Sequence, residues 1–130
     1  GLVLATAPIE GLKIKGTFHY DEGYYYFRNI GNRLLFGGGR NLDFKTEITT
    51  AFGINEKIKE KLIHDLTSFI LPNSAYTLED QWSGIMAFGK NKMPLVKKVG
   101  DHCAMGVRLG GMGIAIGSKI GRDTAALLLD

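Results

Sequence analysis

The pattern of apolar and polar positions divides the chain into strands, a helix, more strands and a closing helix. Leu2-Val3-Leu4-Ala5 is a short apolar strand ended by Pro8. Leu12 to Lys15 alternates apolar with basic residues, as an edge strand would. Phe18-His19-Tyr20 follows, then a turn at Asp21-Glu22-Gly23. In the β-prone run Tyr24–Arg28, alternation puts Tyr24, Tyr26 and Arg28 on one face and Tyr25 and Phe27 on the other. Asn29 to Asn32, with Gly31, makes a hairpin loop, and Arg33–Phe36 returns. Gly37-Gly38-Gly39 then breaks the strand or admits a close backbone.

From Ile54 to Leu71 the period changes to that of a helix. Asn55 caps it, so the helix occupies 55–71, with Ile58, Leu62, Leu66, Phe69 and Ile70 as its buried stripe. Lys57, Lys61 and His64 take its wet side, and Pro72 stops it. A strand is expected from Tyr76 through Trp82 to Phe88, a turn at Lys90-Asn91-Lys92, and a resumption at Pro94-Leu95-Val96. His102–Met105 is a short strand feeding the glycine-rich stretch Gly106–Asp130. The fold class is therefore α+β, a mostly antiparallel sheet with one packing helix and a C-terminal glycine-rich helix.

In the closing helix Gly113, Gly117, Gly121 and Ala125 recur every fourth residue and share one face. Three glycines inside a helix cost roughly 3 kcal/mol relative to alanine. Close approach of another backbone or of a flat ligand would offset that cost. Gly110, Gly111 and Gly113 at the entry present backbone N–H groups where an anionic group is favoured. The spacing is not that of a dinucleotide-binding turn, because Ile116 stands where its third glycine belongs.

The 130 residues are 45% hydrophobic and 22% charged, which fits one globular domain and argues against disorder. The net charge of +3 is spread too thinly for a nucleic-acid surface. Cys103 is the single cysteine, which excludes an internal disulfide and suits a reducing, cytoplasmic setting. It reads as core in an apolar strand. No run is long enough for a membrane span. His19, His64 and His102 share no metal-ligand spacing with Cys103, and no nucleophile motif is present, so no catalytic residue and no metal site is assigned. The chain opens on Gly1 with residues that read as the inside of a strand, so a piece of something longer is expected. Tyrosines with an arginine on one sheet face suit a pocket for a small polar substrate, or form plain sheet surface and core.

Gly23-Tyr24-Tyr25-Tyr26-Phe27-Arg28, Arg33–Phe36 with Gly37-Gly38-Gly39-Arg40, Trp82-Ser83-Gly84, Pro94, and Gly111-Met112-Gly113 with Gly121 occur in this order. Together they resemble the C-terminal half of the FAD-dependent amino acid and amine oxidoreductases, the D-amino acid oxidase and glycine oxidase superfamily. The resemblance implies that 1–95 is a substrate-binding part and that 96–130 returns to an FAD-binding domain. It implies an N-terminal dinucleotide-binding domain of the same chain as partner, without which FAD is held weakly and the chain is inactive. It leaves a bare flavin-facing surface open to self-association. The matching flavin-side positions are Gly110, Gly111, Met112, Gly113 and Ile114. Tyr24 and Tyr26 match the pocket-lining strand. The implied chemistry is hydride transfer to flavin from a C–H next to nitrogen in a small amine or amino acid. The family's carboxylate-gripping arginine falls at Met86, which cannot bind a carboxylate. Either the substrate is an amine lacking that group, or another arginine grips it, Arg108 first and Arg28 second. A non-enzymatic small α+β binding or scaffold domain is the alternative, and a flavin dehydrogenase passing electrons to a carrier is a third reading.

Overall fold

The computed structural model describes residues 1–129. Its strands are β1 (Leu2–Thr6), β2 (Thr17–Tyr20), β3 (Tyr25–Ile30), β4 (Arg33–Gly38), β5 (Leu78–Ser83), β6 (Leu95–Gly100) and β7 (Cys103–Val107). The helices are α1 (Phe44–Glu47), α2 (Glu56–Asp65) and α3 (Gly113–Ala126). The chain forms two compact units, Gly1–Ile85 and Met86–Asp130.

The first unit is a five-stranded sheet in the order β2-β3-β4-β1-β5, with every pairing antiparallel. Alternation sorts its two faces as the sequence predicts. Tyr25, Phe36, Leu34, Leu2 and Leu4 turn inward and join Ile58, Leu62, Leu66 and Ile70 in one buried cluster. The Asn55 side chain caps α2 by accepting from the Ile58 N–H at 3.4 Å. After Asp65 the helix widens into a π-turn over Leu66–Ile70. The wider turn shifts the phase of the stripe. Ile70 and Leu71 reach the core, while Phe69, expected inside, is half exposed and sets its ring edge against Tyr20.

Three glycines end the β3–β4 ribbon because space runs out there. A Cβ on Gly37 would lie 2.8 Å from the Leu2 carbonyl oxygen, and one on Gly39 would lie 2.9 Å from Ile58 Cγ2. At Gly38 it would overlap the Tyr24 carbonyl oxygen. The close-backbone reading of this run is correct. The expected edge strand at Leu12–Lys15 does not form; Leu12 and Ile14 instead pack against the core cluster from irregular backbone. β5 stops at Ser83, short of Phe88, and the Gly84 N–H that follows it donates to the Gly1 carbonyl at 2.9 Å.

Under α2 lies a polar group that the core must satisfy. Asp65 is 3% exposed. It accepts from the Tyr20 hydroxyl at 2.7 Å and from Lys61 Nζ at 2.5 and 2.6 Å. Burial, then the Asp65 carboxylate, pushes the Tyr20 phenol above its usual value near 10. In the unfolded chain that phenol ionises as pH passes about 10, while the folded form keeps its proton. The contribution is therefore complete below about pH 10 and is lost as pH rises beyond it. Thermal melts should show a steeper alkaline loss for the parent chain than for Tyr20→Phe; parallel curves would count against this assignment.

The second unit is the β6–β7 hairpin with α3 across it. Ile116, Ile120 and Thr124 form the half-buried side of α3. The close approach is at Gly106 on β7, where a Cβ would overlap Thr124 Oγ1 and lie 2.8 Å from Ile120 Cγ2. Gly106→Val should lift the helix from the hairpin at a cost of about 1–3 kcal/mol. Loss of amide-exchange protection in both β7 and α3 would show it, and unchanged protection would contradict it. No described residue from Met86 onward is fully buried. Cys103 is exposed at the start of β7 and is not core, because the two-stranded ribbon has no second layer over that position.

Candidate functional site

The face of the five-stranded sheet opposite α2 carries Tyr26 and Arg28 of the positions singled out by the sequence. Register aligns His19, Tyr26, Gly37, Val3 and Trp82 as successive cross-strand partners, one from each strand. The adjoining row on the same face is Thr17, Arg28, Leu35, Ala5 and Asp80. The middle is small and apolar, and Gly37 and Ala5 are buried. Tyr26 and Trp82 are 37% and 45% exposed on either side of it. The Tyr26 ring lies over Gly37, since a Cβ there would sit 3.0 Å from the Tyr26 hydroxyl. Burial raises the Tyr26 phenol above its usual value, so at neutral pH it is a hydrogen-bonding neutral group.

Tyr24 precedes the strand. Its ring meets Phe44 edge-on, and the Arg40 guanidinium stands 5.2 Å from its centroid. Arg28 spends its Nε on the adjacent Asn29 carbonyl at 3.2 Å and is otherwise exposed. Tyr26 and Arg28 thus share one open sheet face, but Tyr24, expected with them, does not, because the 3-10 turn ends on it before the alternation begins and it packs against the core cluster. Trp82 and Asp80 join Tyr26 and Arg28 there through non-local pairing, and His19 through the neighbouring β2–β3 pair.

In the second unit, Met86 and the glycine positions come together. The Gly110 N–H donates to the Ala87 carbonyl at 3.2 Å. Met86 Sδ lies 3.7 Å from where a Gly111 Cβ would be, and Phe88 flanks Gly110. Gly110 and Gly111 have φ of 58° and 84°, left-handed conformations that favour glycine at this tight entry. The Met112 N–H returns to the Leu109 carbonyl at 2.9 Å, and no side chain caps α3. Among the described residues the N–H groups of Gly111, Gly113 and Ile114 have no partner. Met112 is 54% exposed and Ile114 fully so. This helix start offers positive charge and unfilled donors. Along α3, Cβ atoms at Gly117 and Gly121 would meet nothing within 4 Å. The stripe is open at these two positions, whereas a Cβ at Gly113 would lie 3.3 Å from Leu109 Cδ1.

Arg108 adjoins the glycines. It has φ of 63°, unusual for a residue with a side chain. Its Nε donates to the Met93 carbonyl at 3.0 Å and Nη2 to Asn91 Oδ1 at 3.1 Å. It also lies against Gly89. Its guanidinium braces the 89–93 loop, leaving fewer donors for a fork on a carboxylate. No group of metal-ligating side chains exists among the described residues, and none of their helices is long and apolar enough to cross a membrane.

No curated protein and no solved structure matches this chain. The family described as FAD dependent oxidoreductase matches residues 1–127. With so nearly the whole length covered, and with a glycine-rich helix start and an aromatic sheet face in place, the chain belongs to the FAD-dependent oxidoreductase family.

Proposed function

We propose that this chain supplies the substrate-binding sheet and the flavin-closing tail of an oxidoreductase acting on a C–N bond. The substrate is a small amine or amino acid, as in the D-amino acid oxidase and glycine oxidase group. The observation that carries the reading is the uncapped start of α3, with free N–H groups at Gly111, Gly113 and Ile114 beside an exposed Met112. These residues fit FAD. Unpaired donors at a positive helix end suit the negative charge that a reduced flavin carries, and the two positive-φ glycines keep side chains from its approach. When bound, FAD accepts the hydride from the substrate carbon next to nitrogen.

The chain's own residues orient and exclude. Gly110–Ile114 hold backbone donors toward the ring. Tyr26 lines the substrate side, excludes water and offers a neutral hydroxyl. Arg28, whose fork is nearly unspent, takes a substrate carboxylate in preference to the braced Arg108. Met86 packs by the glycine entry and contributes apolar surface. FAD is held chiefly by a dinucleotide-binding domain, and the chain alone is expected to be inactive. The absence of any fully buried residue from Met86 onward supports such a completing partner.

Ile114→Asp tests this. It adds a carboxylate to the first turn of α3, which favours the helix but competes for its free donors. In the FAD-loaded protein the flavin potential should become more negative and substrate-driven reduction should slow by about tenfold or more. A potential and rate equal to the parent's would place the flavin elsewhere.

A further inference from the structure

We propose that the open sheet face selects a linear substrate with a carboxylate at one end and an ammonium group at the other, as in a basic amino acid. This rests on the reading of that face as substrate-facing. Arg28 on β3 and Asp80 on β5 stand in the same cross-strand row, separated by Leu35 and Ala5. Each has an aromatic partner two residues away on the same face, Tyr26 beside Arg28 and Trp82 beside Asp80. The result is an apolar strip of Val3, Ala5, Leu35 and Gly37 with a charge of opposite sign on each side.

Neither charge is neutralised by the protein. The Asp80 carboxylate makes no hydrogen bond or ion pair with any described residue, whereas its neighbour Glu79 pairs with Arg33. Arg28 contacts only its neighbour's carbonyl. Three strand spacings separate β3 from β5, about 14 Å between backbones, too far for the two to satisfy each other directly. An extended basic amino acid with a hydrogen bond at each end spans roughly that distance. A carboxylate next to an indole face is a cation-recognition pair, and an arginine next to a phenol suits a carboxylate. The polarity also sets orientation, because a substrate carboxylate placed at Asp80 would be repelled.

The test is kcat/KM in the FAD-loaded protein for lysine and for norleucine, both enantiomers of each. The pair matches in chain length and differs in the distal ammonium. Lysine should be preferred by about tenfold or more, Asp80→Asn should bring the ratio to within about twofold, and Asp80→Glu should restore most of it. If norleucine is oxidised and lysine no better, or if the Asp80→Asn ratio equals the parent's, the selection is overturned while the oxidoreductase reading stands. If none of a panel of amines and amino acids reduces the flavin, that reading falls and the selection falls with it.

Discussion

Gly38→Ala should unfold the sheet unit. A Cβ at Gly38 would overlap the Tyr24 carbonyl oxygen and lie 2.9 Å from both Tyr24 C and Tyr25 Cα. All three are backbone atoms, so no rotamer change relieves the clash. The φ of 119° adds strain that any side chain would meet. Overpacking costs about 1–3 kcal/mol and such a backbone conformation a similar amount. Together, roughly 4 kcal/mol is removed from a unit whose total stability is on the order of 5–10 kcal/mol. Urea denaturation followed by circular dichroism measures it, with Gly53→Ala as control, since a Cβ there meets nothing within 4 Å. A Gly38→Ala midpoint matching the control's would refute the close approach of β3 and β4.

Asp65→Ala is expected to cost about 2–4 kcal/mol, the second largest loss. It strips the Tyr20 hydroxyl of its acceptor and leaves the Lys61 ammonium, stationed 5.6 Å from the Tyr25 ring centroid, without its counter-charge. Lys61 is 39% exposed, and solvent keeps the loss below that of a fully buried pair. Asp65→Asn should lose less, because an amide oxygen still accepts from Tyr20. Equal melting temperatures for Asp65→Ala and the parent would show that the triad contributes nothing.

What the sequence discloses follows the range of the interactions concerned. Local period sufficed for the inward Tyr25 and outward Tyr26, for the Asn55 cap, and for the α2 stripe as far as Leu66. It failed at Phe69, which the π-turn sets against Tyr20 outside the core, while Ile70 stays buried as expected. It failed at Leu12–Lys15, where alternation reflects two apolar side chains reaching the core without a strand partner. Gly106, where α3 meets its hairpin, looked ordinary because nothing local demands glycine there. Trp82 and Asp80 come to the tyrosine face only through the register of strands distant in sequence, and His19 through that of the adjoining β2–β3 pair; register is a property of pairings and not of any one run. The glycine-rich entry was legible from composition and spacing. That its donors stay unpaired, and that Gly117 and Gly121 face open space, depends on what the rest of the chain leaves uncovered.

The most direct test of the account is to mix the FAD-loaded protein, without oxygen, with amines and amino acids and to follow the flavin absorbance. The account predicts that at least one of these compounds bleaches the flavin band and that Ile114→Asp slows the bleaching. A full-length protein, dinucleotide-binding domain included, that binds no flavin, or whose flavin stays oxidised with every such compound, would contradict it.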